Sequence, residues 1–408
     1  MWTGTNSKDL KIQNRLLVRN LIRRFGPIAR YEIAQETGLT PSTVTVITAE
    51  LLEAGVIREA GHGESTGGRR PVLLELNPTA AHVFTVQLQR GEATAAMFGI
   101  TCNSLAEHTY HLDTDTPDEV VETIGLCFEQ LVREADIDPD TVLWCGVACP
   151  GLVSSDRGVV ERSSNLGWLK VPLGEMIGRR LGGMPVHVEN ISNAAALAEK
   201  EYGLGRGYSD LVFVNLSVGV SAGILVNGEI YGGVQGYAGE IGHVSYIPEN
   251  GPRCACGRRG CFEAVCSARA VLERIKAAVG EEEFAQYGLS KDTVKLRELL
   301  NSPLVKSEAV QRVVEETGHA VGILVANLVN LLNPRIIILG GELSAFGAPL
   351  LRKVEEEVKL RSLEELHKSS SIQLSNLRGA GPLLGAYALA LEKVFSLEEW
   401  AANAAVRV

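Results

Sequence analysis

Three cysteines fall within eight positions, Cys254-Ala255-Cys256-Gly257-Arg258-Arg259-Gly260-Cys261, and His243 lies eleven residues upstream. The intervening glycines let the backbone double back, so that three sulfurs can converge at about 2.3 Å on one ion. Donor types and spacing predict Zn2+ held by His243, Cys254, Cys256 and Cys261. Two other readings use the same residues: a disulfide or buried free thiols, and a ligand set in which Cys266 replaces His243. Glu240 stands just before His243 and Glu263 just after Cys261. One metal would therefore fix a histidine and two carboxylates around a single pocket. Convergent carboxylates accept hydrogen bonds from hydroxyl groups, which suits a sugar.

A chain of 408 residues, 45% of them apolar, can build two or three compact units around this loop. Its apolar runs are too short for a membrane helix, and the first eight residues lack the apolar stretch of a secretion signal, so a cytoplasmic protein is expected. Cys102, Cys127, Cys145 and Cys149 lie in mostly apolar surroundings, as free thiols of a reducing compartment do. The net charge of −10 is uneven: through Pro71 there are ten basic against seven acidic residues, and the acidic excess lies in the rest. Only the head is suited to a polyanion.

In that head, apolar residues at helical spacing run from about Asp9 to Phe25, with Arg15, Arg19 and Arg23 recurring every fourth position. Gly26-Pro27 stops this helix. A short helix follows through Thr37 to Gly38, and a third starts with Thr40 as cap and Pro41 in its first turn and runs to about Ala54. Val44, Ile47, Leu51 and Ala54 form its inward stripe, leaving Ser42, Thr43, Thr45, Val46 and Ala49 on a face small enough to enter a major groove. Two strands near Val56–Glu59 and Val72–Leu76 flank a glycine loop carrying Arg69 and Arg70, side chains suited to a narrow minor groove. The order predicts a winged helix-turn-helix over residues 1–79, with Ser42, Thr43, Thr45, Arg69 and Arg70 on DNA.

From about Ala80 short apolar strands alternate with helices, predicting an α/β body of two similar lobes, 80–200 and 201–408, with a cleft between them. The final helix is a candidate to return to the first lobe. Loops at Ala148–Gly151, Ser163–Trp168 and Glu189–Asn193 follow strands and should face the cleft. There Asn165, Asn190 and Asn193 can each donate to and accept from hydroxyls, and Trp168 supplies an indole.

These motifs resemble the ROK family of repressors, open reading frames and sugar kinases. The likeness rests on Glu240-x-Gly242-His243, the C-x-C-G-x-x-G-C run with Glu263 after it, Pro150-Gly151, and Asn165-Leu166-x-Trp168. The head, with Gly67-Gly68-Arg69-Arg70-Pro71, is similar to that of the repressor branch, most of all the xylose-operon repressors. The resemblance implies an actin-like two-lobed body and zinc on His243, Cys254, Cys256 and Cys261. It also implies sugar contacts from Asn165, Asn190, Glu240, His243 and Glu263, and dimers or tetramers.

Departures from the kinase pattern decide what the chain is expected to do. Gln87-Leu88-Gln89-Arg90-Gly91 stands where ROK kinases carry their Asp-x-Gly-Gly-Thr phosphate loop, and Ser217 to Ser221 stands in place of the second one. Their catalytic aspartate corresponds to Ile191, which cannot accept a proton. The expectation is a sugar-responsive regulator and not an enzyme, in which a monosaccharide, xylose first and glucose second, closes the cleft and lowers affinity for operator DNA. A sugar kinase with an accessory head, and a regulator governed by a sugar-transport protein, are the alternatives.

Overall fold

A computed structural model describes residues 7–64, 70–113 and 115–396. The head begins with α1 (Ser7–Phe25), followed by β1 (Ile28–Ala29), α2 (Arg30–Thr37), α3 (Pro41–Glu53), β2 (Ile57–His62) and β3 (Val72–Leu76). The Thr40 hydroxyl accepts from the Thr43 amide at 3.2 Å and Pro41 fills the first turn, so α3 starts where the sequence places it. Val44, Ile47, Leu51 and Ala54 are buried as expected. A three-stranded sheet in the order β1-β3-β2 makes the wing. Its base is closed by the Gly63 amide on the Pro71 carbonyl at 2.9 Å. Arg69 lies outside the described residues.

The first lobe is a five-stranded sheet in the order β11-β7-β4-β5-β6. It contains β4 (His82–Gln89), β5 (Glu92–Gly99), β6 (Ser104–His111), α4 (Pro117–Ala135) and β7 (Val142–Cys149). A small sheet of β8 (Leu152–Ser154), β9 (Val159–Ser163) and β10 (Trp168–Val171) comes next, then α5 (Leu173–Arg180), β11 (Val186–Asn190) and α6 (Ile191–Tyr202). The second lobe repeats the plan, with strand order β14-β13-β12-β15-β16. Its members are β12 (Leu211–Leu216), β13 (Val220–Val226) and β14 (Glu229–Ile230), then the short helices α7 (Glu263–Cys266), α8 (Ala268–Ala278), α9 (Glu281–Gln286) and α10 (Leu296–Asn301). The long α11 (Glu308–Leu332), β15 (Ile336–Gly340), α12 (Ala348–Arg361), α13 (Glu364–Ser369), β16 (Ser371–Leu374) and α14 (Gly381–Ser396) complete it.

Two helices are exchanged between the lobes. α6 leaves the first sheet and packs on β12 and β13, whereas α14 follows the second sheet and packs on β4 and β7 of the first. They cross on residues without bulk: a Cβ at Gly385 would lie 1.8 Å from the Ala194 carbonyl oxygen. Small residues also set each helix on its sheet, Gly223 beneath the Ser192 carbonyl and Gly146 beneath that of Ala386. The head is not a loosely tethered unit. Val18, Ile22, Ile33, Val44 and Leu74 share one apolar cluster with Val83 and Phe98 of the first sheet and with Leu383, Tyr387, Leu391 and Phe395 of α14. At this crossing a single methyl is too much: Gly385→Ala should lower stability by about 1–3 kcal/mol, read as a shifted midpoint in urea denaturation followed by far-UV dichroism.

Candidate functional site

The donor atoms of His243, Cys254, Cys256 and Cys261 all lie within 4.8 Å of one another. Cys254 Sγ is 3.7 Å from His243 Nδ1 and Cys256 Sγ is 3.8 Å from Cys261 Sγ. The 3.7 and 3.8 Å separations are close to an edge of a tetrahedron around an ion with ligands at about 2.3 Å. The loop reaches this shape because Gly260 approaches the Ile247 carbonyl where a Cβ would sit 1.8 Å away, and because short bridges join Ser245 to Cys261 and Arg253 to Arg259. Cys266 is not among the converging donors; it is fully buried in the second-lobe core. No disulfide links the three loop cysteines. Burial pushes the Cys254 thiol up to about 12 and raises Cys261, so a metal entering here must displace their protons.

The histidine faces two ways. Its Nδ1 is turned to the thiols and its Nε2 lies 3.8 Å from Glu240 Oε2. Glu263, at the start of α7, is 3.6 Å from Cys254 Sγ through Oε1 and accepts from the Val220 amide at 3.2 Å through Oε2. Asn165, from the first lobe, and this second-lobe carboxylate both border Gly219: a Cβ there would be 3.2 Å from Glu263 Oε2 and 3.5 Å from Asn165 Nδ2. Glycine at 219 thus keeps open a gap with an amide on one side and a carboxylate on the other. Burial raises the Glu240 carboxyl and the neighbouring Glu263 raises it further, against the pull of His243. Four of the five expected hydroxyl-binding groups, Asn165, Glu240, His243 and Glu263, accordingly converge.

The fifth, Asn190, is largely committed to structure. It caps α6, its Oδ1 accepting from the Ser192 and Asn193 amides, and its Nδ2 donates to the Gly151 carbonyl at 2.8 Å, which leaves one N–H to offer. Asn193 is buried and donates to Glu189 Oε1 at 3.0 Å. The expectation that Trp168 offers its indole to the cleft is corrected: the ring is buried and its Nε1 donates to the Asp115 carbonyl. Nothing in the sequence pattern singles out Asp115. Its Oδ1 accepts from the Gly91 amide at 3.2 Å and its Oδ2 lies 3.6 Å from Arg90, so the β4–β5 turn is held by the chain's own carboxylate.

On the head, Ser42 and Thr45 are exposed on α3 and Thr43 is half-buried. Thr45 donates to the Pro41 carbonyl at 2.8 Å, leaving its lone pairs outward. Arg70 is exposed at the base of the wing. The arginine stripe of α1 turns inward: Arg15 and Lys11 pair with Glu50 on α3, and Arg19 and Arg23 lie over the ring of Phe395.

Fold and site together define a two-lobed, actin-like body with a loop that gathers four potential metal donors and a winged head at its N-terminus. Residues 84–393 match the ROK family, and the chain belongs to it. It is 30% identical over 399 residues to the xylose repressor of Caldicellulosiruptor bescii, an alignment covering 97% of this chain and 100% of that protein. A solved ROK family transcriptional regulator, a homolog of the Escherichia coli MLC protein, superposes with a TM-score of 0.80 at 27% identity, covering 98% of this chain and 100% of that one. The Streptomyces griseus ROK glucokinase, solved with glucose and AMPPNP, superposes with a TM-score of 0.67 at 25% identity over 76% of this chain and 100% of its own. Cys256→Ser removes one donor of the cluster; elemental analysis of the purified variant should find bound metal reduced at least about tenfold relative to the parent chain.

Proposed function

We propose that this chain is a sugar-responsive transcriptional repressor, its winged head on operator DNA and a monosaccharide in the interlobe cleft. The observation that carries the reading is that Asn165 from one lobe and Glu263 from the other border the same glycine, Gly219, with Glu240 and His243 close to Glu263. This arrangement keeps a set of hydroxyl partners, while Ile191 stands where a catalytic base would be needed. The xylose repressor and the MLC-homologous regulator among its relatives support the same reading.

The far side of the cleft supports binding without phosphoryl transfer. The Gly91 amide is taken by Asp115, and Ser221 shares a 2.6 Å hydrogen bond with Ser192 across the lobes. Glu342 donates its amide to Ser217 Oγ at 3.2 Å and Glu92 follows Gly91, so acidic side chains adjoin both segments that stand in place of the kinase phosphate loops, where cations and free amides would be needed. In this reading the cluster ion is Zn2+, held by His243, Cys254, Cys256 and Cys261. A filled d shell and thiolate-rich tetrahedral donors suit a bracing role, the ion orienting His243 toward the sugar.

We assign residues 1–79 to operator binding, 80–200 and 201–408 to the two lobes, and Ser42, Thr43, Thr45, Arg69 and Arg70 to DNA. Asn165, Asn190, Glu240, His243 and Glu263 are assigned to the sugar, with D-xylose as the first effector and D-glucose the second. Two copies, in a dimer or tetramer, would place two heads on successive half-sites of a cytoplasmic operator. None of the helices among the described residues is long and apolar enough to cross a membrane. The sugar acts by preferring a closed cleft whose heads fit DNA poorly.

Replacing Glu240 with glutamine should weaken D-xylose binding in calorimetry by about tenfold or more while metal content is retained; unchanged affinity for both xylose and glucose would remove Glu240 from the site. Incubated with ATP and either sugar, the parent chain should show no ATP turnover above background. Arg70→Ala should weaken operator binding by on the order of 1–2 kcal/mol in gel shifts at physiological salt, and the double variant with Arg69 by more, the body remaining folded.

A further inference from the structure

We infer that Arg19 and Arg23 of α1, closed over Phe395 in the last turn of α14, form the joint through which cleft closure reaches the recognition helix, and that they are not DNA-contacting residues. Arginines recurring every fourth residue on the first helix of a DNA-binding head invite assignment to phosphates. The structure places them otherwise. Arg19 is 1% exposed, donates to the Phe395 carbonyl, and holds its guanidinium 5.2 Å from the ring centroid. Arg23 lies 4.8 Å from the same ring. A guanidinium on a carbonyl of the last turn suits the negative end of a helix, and its stacking on an aromatic face fixes orientation as well as distance.

α14 runs from that joint back to the cleft. Sixteen residues of helix span about 24 Å. At its far end Gly381 and Gly385 cross Ala195 and Ala194 of α6. The crossing has no side chains to interlock, and surfaces of this kind allow one helix to shear over another. α6 itself begins at Asn190, whose amide is tied to Gly151 at the edge of the cleft. Beyond the joint, α1 passes the displacement on, because Lys11 and Arg15 hold Glu50 of α3. The path is therefore smooth where the lobes slide and tightly keyed where the head is held. Tyr387, in the middle of α14, keeps the helix in register with the first sheet by donating to the Gly99 carbonyl at 3.0 Å.

The proposal rests on the sugar-responsive reading for its signal, though the joint can be examined without it. The full-length protein would be assayed on a duplex recovered by selection from random sequence with the parent chain. Arg19→Met and Phe395→Leu should each bring the ratio of DNA affinities without and with saturating D-xylose to within about twofold of unity, with sugar affinity in calorimetry and the slope of log affinity against log salt unchanged. A retained ratio with a slope shallower by about one would make Arg19 a phosphate contact and overturn the proposal. If the parent chain itself responds to neither D-xylose nor D-glucose, the functional reading fails, and amide hydrogen exchange decides the joint. In Phe395→Leu, amides of α1 and α3 should then exchange at least about tenfold faster while those of β12 and β13 are unchanged; equal rates in parent and variant would overturn the joint.

Discussion

The close crossing of α6 and α14 is the constraint on which the rest of the molecule depends. Where Gly385 meets the Ala194 carbonyl there is no room for a side chain, and the same holds where Gly146 meets Ala386 and Gly223 meets Ser192. Because the helices nest this closely, each lobe lends a helix to the other and the two sheets are held facing one cleft. Glycines and alanines bury little apolar area, so this contact sets geometry more than it stabilises. The stabilising burial lies elsewhere, in bulky residues such as Phe84, Met97, Phe262 and Phe284, all fully enclosed.

Around the cleft, the groups assigned to ligand also hold the frame. Glu263 binds the Val220 amide and Asn190 caps α6, so their positions are set before any ligand arrives. His243 stands between a cluster of thiols and a half-buried carboxylate, which makes the orientation of its ring a property of the cysteine loop. Binding geometry and local stability are thus coupled in one short stretch of chain, from Gly239 to Glu263.

What could be read from the sequence was what is local in it. The cap at Thr40, the inward stripe of α3 and the donor set of the cysteine loop depend on residues within a few turns of one another, and each is found as expected. β6 lies on the sheet edge with most of its residues exposed, so it carries no apolar alternation to read. That Asn190 also caps α6 could not be told from its type alone, because an N-cap and a sugar-binding amide have the same side chain. Arg19 of the head is joined to Phe395 across 376 positions, and in the first lobe Asp115 to Gly91 across 24; no periodicity reports such pairs. The position of Gly219 between the lobes could be seen only once both were folded.

The apolar cluster that runs from α3 through the first sheet to α14 makes the head part of the body's own interior. Winged modules are often pictured as interchangeable readers fitted to interchangeable sensors. Here the reader is packed against a helix encoded more than three hundred residues downstream, so a chimera that swaps N-termini alone would leave Phe395 facing mismatched neighbours. Divergence of operator preference in such a chain must proceed on the outer surface of α3 and the wing, while the inner surface evolves in step with the C-terminus.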